Sequence, residues 1–200
     1  MSAQPDLFDA PAPALPPGLT YAPDILNAAE EAALLTQLAD VAVAPFRFQG
    51  WLGKRETASF GWQYDFDNAS FAPTEPIPDY LLPLRTRAAR FAGLHEDDLV
   101  QVLVTRYDPG AGIGWHRDRP VFEHVVGISL GNDATLRLRR RTPAGFDRAA
   151  LPLPPRSVYL LTGEARHQWE HSIAAMLVPR WSVTFRSLSA KGREALRRPA

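Results

Sequence analysis

The chain has 200 residues, no cysteine, and 22 basic against 22 acidic residues, so its formal charge is zero. That length suffices for one domain with a buried core; the missing cysteines exclude a disulfide framework and a thiolate metal site, and charge neutrality excludes an overall electrostatic footprint for nucleic acid, leaving only local ones. No apolar run is long enough to span a bilayer and no basic region precedes an apolar stretch near the N-terminus, so a soluble, cytoplasmic monomer with no membrane partner is expected.

Residues 1–19 are rich in Ala and Pro and are expected to form a disordered tail, ahead of a single domain over 20–190 and a basic tail over 191–200. Within the first tail, Gln4-Pro5-Asp6-Leu7-Phe8 resembles the short Gln-x-x-Leu-Phe peptides that dock bacterial repair and replication proteins on the sliding clamp. The clamp is therefore a candidate partner, beside the plainer reading of a floppy tail. Asn27 predicts a helix cap, with Leu34, Leu35 and Leu38 as the apolar stripe that follows. A second helix is predicted after Pro83, ending near Gly93. Between them runs Phe60-Gly61-Trp62-Gln63-Tyr64-Asp65-Phe66, after Phe46, Phe48 and Trp51. Alternation sets Phe60, Trp62, Tyr64 and Phe66 on one side, mostly as core, with Trp62 and Tyr64 as candidate substrate contacts.

Strands are predicted at 100–107, 113–118, 125–130, 135–140, 157–161 and 180–188. They are separated by turn signals such as Pro109-Gly110, Gly131-Asn132-Asp133 and Pro154-Pro155. Many short strands at this spacing read as a sandwich or barrel, and no internal repeat is present. In Leu136-Arg137-Leu138-Arg139-Arg140-Arg141, alternation puts Arg137, Arg139 and Arg141 on one face. That face follows a phosphate backbone or is simply solvated, and both readings stay open. Lys191, Arg193, Arg197 and Arg198 read as a solvated helical end.

Gly114-Trp115-His116-Arg117-Asp118 carries the chemistry. Residues two apart on a strand share a face, so His116 and Asp118 turn inward together while Arg117 points away; Pro120 then ends the strand or marks an edge. His171, in Trp169-Glu170-His171-Ser172-Ile173, supplies a third ligand from another strand. Two histidines and one carboxylate form an iron site that leaves coordination positions open. A lone His-x-Asp is common, and its bland reading is a turn-side hydrogen bond. Pro179-Arg180-Trp181-Ser182-Val183-Thr184-Phe185-Arg186 shifts the balance. Its alternation predicts a half-buried strand with Arg180, Ser182, Thr184 and Arg186 on a cavity face. The arginine Cα atoms lie about 20 Å apart at ~3.3 Å per residue. If the side chains lean together, the guanidinium gap matches a five-carbon diacid, bound by paired hydrogen bonds. His95 and His124 read as surface or core residues, and His167 is the rival to His171.

Arg106-Tyr107 before Pro109-Gly110, then His116-Arg117-Asp118, then Gly163-Glu164-Ala165-Arg166 ahead of His171, and finally RWSVTFR from Arg180 to Arg186 stand in a family order. Between about Thr20 and Leu188 the chain resembles the AlkB-type branch of Fe(II)/2-oxoglutarate-dependent dioxygenases. The resemblance implies an α+β fold: a double-stranded β-helix (jelly-roll) core with flanking helices and an N-terminal lid over the substrate. It implies Fe(II) on His116, Asp118 and His171, and 2-oxoglutarate on Tyr107, Arg180 and Arg186, with Thr105 and Ser182 beside them. Many relatives carry Asn where this chain has Thr105. The repair enzyme that names the family has a base-contacting acid where this chain has Pro120, so base recognition does not carry over. The implied activity is oxidative demethylation, with O2, of alkylated bases in single-stranded DNA or RNA. Trp62, Tyr64, Arg137 and Arg139 are candidate contacts to that substrate. Two readings compete with it: a dioxygenase for a protein or small molecule, and a non-enzymatic module that binds nucleic acid or the clamp.

Overall fold

The computed structural model describes residues 15–48, 50–64 and 71–197. The clamp-like peptide from Gln4 to Phe8, and Phe66, lie outside them. In chain order the elements are β1 (Leu19–Ala22), α1 (Ala28–Ala39), β2 (Ala44–Phe48), β3 (Trp51–Phe60), β4 (Trp62–Tyr64), β5 (Phe71–Pro73) and α2 (Leu82–Ala92). Then follow β6 (Leu99–Tyr107), β7 (Ile113–His116), β8 (Phe122–Leu130), β9 (Ala134–Thr142), β10 (Gly145–Leu153), β11 (Val158–Leu161), α3 (Gly163–His167), β12 (Glu170–Ile173), β13 (Arg180–Leu188) and α4 (Ala190–Arg197).

The strands form a seven-stranded sheet in the order β1-β11-β8-β13-β6-β3-β2 and a four-stranded sheet in the order β10-β9-β12-β7, with β4-β5 as a separate ribbon. Every pairing in them is antiparallel. The two helices of the N-terminal half cover one face of the large sheet. Asn27 caps α1 through a capping box with Glu30, and the stripe Leu34 and Leu38 is buried. In α2, Leu84 and Ala88 are four apart and buried, and the left-handed Gly93 ends the helix. These side chains meet Val102, Val104, Ile128, Val183 and Phe185 in one core. The other face of the large sheet looks at the small one. There Val125 and Leu161 pack against Leu136, Leu138, Leu151, Leu153 and Ile173 in a second core. Because β8 and β13 are covered on both faces, nearly every residue in them is buried. This is the α+β jelly-roll arrangement expected from the sequence.

Four of the differences from expectation bear on the domain and its site. Leu19, placed in the N-terminal tail by composition, pairs with Leu161 in a strand, so the ordered domain begins earlier. The helix expected after Pro83 begins at Leu82, with proline inside its first turn, where the missing N–H has no intrahelical partner to lose. The aromatic run is not one strand: β3 ends at Phe60, and Gly61 adopts φ 77°. A side chain at Gly61 would meet the Val100 carbonyl oxygen at 2.1 Å. Finally, β7 stops at His116, so Asp118 lies beyond the strand rather than on it.

Candidate functional site

His116 and His171 are direct cross-strand partners between β7 and β12. Their rings lie 4.3 Å apart. Asp118 joins them from the segment after β7, and one ligand atom from each residue falls within 4.8 Å of the others. Asp118 does not depend on strand geometry for its position. Arg166 donates to the Arg119 and Phe122 carbonyl oxygens at 2.7 and 2.8 Å, and Ser189 donates to the Pro120 carbonyl oxygen at 2.6 Å. These bonds pin the segment that carries Asp118.

The donor set suits a divalent metal. His116 Nδ1 lies 2.9 Å from the Gly114 carbonyl oxygen, which can only accept. The proton therefore sits on Nδ1 and leaves the Nε2 lone pair free, as second-shell partners do for ligating histidines. Burial, followed by the neighbouring His116, holds the His171 imidazole neutral with a pKa lowered to about 3. Burial alone would raise the Asp118 carboxyl. Arg186, both histidines and Arg166 outweigh it and keep the carboxyl ionised, well below the usual range. His167 bonds Glu123 at 3.0 Å instead, His124 bonds Ser187 and His95 caps a short helical turn.

On β13, Arg180 and Arg186 face the same cavity as expected but meet different partners. Arg186 donates through Nε and Nη2 to Asp118 Oδ1 at 2.9 and 2.7 Å, and through Nη1 to Gln101 Oε1 at 2.9 Å. Arg180 donates through Nε and Nη2 to Ser129 Oγ at 3.2 and 3.0 Å and lies over the Tyr107 ring. It is 2 % exposed, yet its Nη1 has no hydrogen-bond partner among the described residues. A buried guanidinium N–H left open is expensive and fits an anionic oxygen of a bound ligand. Thr57, Thr105, Ser182 and Ser129 stand in register across four strands beside it. This row places the Thr105 and Ser182 hydroxyls at the same wall.

Both sheets bound a cavity of about 710 Å³ whose walls include His116, Asp118, His171, Tyr107, Arg180 and Arg186. Tyr64 lines it too, with Arg119 over its ring. Trp62 is not among the lining residues and stacks on Phe71 at 5.1 Å. Arg137 and Arg139 also lie away from it. They flank the Trp115 ring and are engaged by Ser172 and by Glu170. Sequence reasoning missed Arg55, Gln101, Ser129 and Tyr159. Tyr159 folds over Gly127, where a side-chain carbon would meet its ring at 2.2 Å, and burial pushes its hydroxyl pKa up. The signal for Gln101 and Ser129 was their cavity-face parity with Thr105 and Ser182, visible once the strands are paired.

Residues 18–186 match the model of the 2OG-Fe(II) oxygenase superfamily. The chain is similar to a tRNA (carboxymethyluridine(34)-5-O)-methyltransferase, alkbh8, of Xenopus tropicalis: 30% identical over 169 residues, which is 80% of this chain and 26% of that protein. It is similar to the probable RNA/DNA demethylase ALKBH6 of Danio rerio: 31% over 126 residues, 62% of this chain and 51% of that one. The chain thus spans about a quarter of the length of the first of these relatives and half of the second. The solved structure of OsALKBH1 superposes with a TM-score of 0.65 at 16% identity, over 88% of this chain and 100% of that one, which is a likeness of fold.

Proposed function

Since the chain belongs to the 2OG-Fe(II) oxygenase superfamily, and within it to the AlkB-like dioxygenases, we propose that it acts on nucleic acid and removes methyl groups from alkylated bases by oxidation. Fe(II), 2-oxoglutarate and O2 are its reactants and cofactors. Together they supply a two-electron oxidation in which one oxygen atom enters succinate as CO2 leaves and the other enters a substrate C–H bond. On an N-methyl group the product is a hydroxymethyl amine that loses formaldehyde and leaves N–H.

In this reading the Nε2 atoms of His116 and His171 and the Asp118 carboxylate would hold the metal. Arg186 fixes Asp118. Arg180 takes a cosubstrate carboxylate on its open Nη1, with the Tyr107, Thr105 and Ser182 hydroxyls alongside. Tyr64 stands at the cavity wall, where an extruded base would find an aromatic face. The observation that carries the reading is that open Nη1 of Arg180, buried in the same cavity as the His-Asp-His cluster. The nucleic-acid part draws support from the names of two relatives, the probable RNA/DNA demethylase above and the alkylated DNA repair protein ALKBH8 homolog of Arabidopsis thaliana, 27% identical over 183 residues.

The test is mass spectrometry of single-stranded DNA and RNA carrying one 1-methyladenine, 3-methylcytosine or 3-methyluracil, with Fe(II), 2-oxoglutarate and either wild type or Asp118→Ala. Methyl loss with wild type alone is expected. Succinate formed in an Asp118-dependent way with every methyl retained would move the substrate to a protein or small molecule.

A further inference from the structure

The cavity is charged far from evenly. Among the described residues its lining carries the arginines 47, 55, 117, 119, 180 and 186, while Asp118 is its one carboxylate. Asp118 is already held by Arg186 and belongs to the candidate metal cluster. The chain as a whole is neutral, so this excess is local.

Among the described residues Arg55 has no hydrogen-bond or ion-pair partner. Its neighbour Glu56 pairs with Arg106 on β6, so continuing the register one step puts Arg55 level with Tyr107, which pairs in turn with Arg180. Arg55 therefore shares a row with the two residues proposed to hold the cosubstrate. Its guanidinium lies 3.8 Å from the centroid of the Phe46 ring. No carboxylate stands within ion-pair distance of it among the described residues. Burial pulls its pKa below the usual arginine range, and Tyr107, Arg186 and Asp118 are the groups that act on its charge. A guanidinium presents only donors, in a rigid planar fork. Set against an aromatic ring, which offers no conventional acceptor, it keeps its N–H donors for whatever enters.

We propose, resting on the nucleic-acid reading above, that Arg55 makes this pocket select a neutral N-methylated base flanked by carbonyl oxygens, of the 3-methyluracil type, over the cationic 3-methylcytosine and 1-methyladenine. In 3-methyluracil the methylated nitrogen lies between two carbonyls, so whichever side of the methyl group faces Arg55 presents an acceptor. In 3-methylcytosine one carbonyl is replaced by an amino donor and the ring is positively charged. Against Arg55 that ring meets a donor facing a donor and a cation facing a cation. A cationic base calls for a carboxylate in the wall, and Pro120 offers none at the position after the ligand segment.

Two oligonucleotides identical except for 3-methyluracil or 3-methylcytosine decide the matter, competed for the full chain with Fe(II) and 2-oxoglutarate. Their affinities are measured in parallel with Mn(II) and the unreactive analogue N-oxalylglycine. The expected kcat/KM ratio favours 3-methyluracil by about tenfold or more, as like-charge rejection in a desolvated site would give. Binding should follow the same order. In Arg55→Gln the ratio collapses towards one; in Arg55→Lys rejection of the cation persists while the gain on 3-methyluracil shrinks. Equal or better use of 3-methylcytosine by wild type overturns the proposal and leaves the demethylase reading standing. Equal loss on both substrates in Arg55→Gln also overturns it, since that is the mark of a phosphate contact or a structural role. Demethylation of neither base, with neither bound more tightly than unmethylated strand, overturns both readings at once. The wild-type ratio is itself decisive should Arg55→Gln fail to fold.

Discussion

Asp118 turns one carboxylate oxygen to Arg186 and the other to His171, 3.5 Å from its Nε2. Asp118→Ala is therefore expected to do two separable things. It abolishes succinate formation and metal binding, measured by turnover and by Mn(II) titration. It also strands a buried guanidinium, lowering stability by about 3 kcal/mol in denaturant melts. Arg180 differs, because its inner contacts are to a neutral hydroxyl and its outward N–H is free. Arg180→Met is expected to raise KM for 2-oxoglutarate about ten- to a hundredfold, as the loss of charge-assisted bonds would give. The ligand trio was legible from residue types and spacing alone. The tasks of the two arginines were not, because a 20 Å strand segment says nothing about which guanidinium meets a carboxylate of the protein itself.

At the scale of elements, α1 is fixed twice at its start. Glu30 accepts from the Asn27 N–H, and its carboxylate takes two N–H groups of Arg87 on α2 at 2.6 and 2.9 Å. The Arg87 bonds first, then the Asn27 bond, lower its pKa from 4.5 to about 2. A depressed carboxyl contributes stability above the unfolded value and loses it as pH falls through the folded one. Glu30→Gln is thus expected to lower Tm above about pH 4.5, with the gap closing towards pH 2, as followed by circular dichroism. Gly127→Ala is a different test. Its methyl would collide with the Tyr159 ring, displacing the ring into the cavity and costing about 1–3 kcal/mol in a denaturant melt. The strand β13 could be read in advance because its two faces differ sharply in polarity. The strand β3 could not: Lys54 and Glu56 on one face alternate with Arg55, Thr57 and Ser59 on the other, so polarity carries no period. That is why Arg55 escaped the sequence. The end of β7 at His116 escaped it too, since the bonds that hold Asp118 come from Arg166 and Ser189, remote in the chain.

For the whole molecule, the candidate site draws its histidines from the small sheet and its arginines from the large one, with core on both sides. Ligands that bind only this assembled arrangement stabilise it by mass action. At about a hundred times Kd the gain is ~2.7 kcal/mol, a Tm rise of about 5–10 °C for a domain of this size. Mn(II) with 2-oxoglutarate is expected to give that rise in wild type, and removal by chelator to reverse it. Asp118→Ala should show none of it. The fold class was legible because turn signals recur at strand spacing. The order of strands was not, since β1 and β11 are far apart in sequence yet adjacent.

The β2–β3 hairpin ends the large sheet, with β2 as its edge strand and β3 joined to β6. On the reading proposed above, oxidation and choice of target are housed in different parts of the architecture. Of the strands that carry the histidines and the paired arginines, β12 and β13 lie between two neighbours, whereas β7, with His116, ends the small sheet and is held by β12. The hairpin that carries Phe46 and Arg55 pairs with the rest of the large sheet through β6. A descendant of this chain can exchange one target for another by rewriting a rim of some fifteen residues, while the oxidising centre is inherited unaltered.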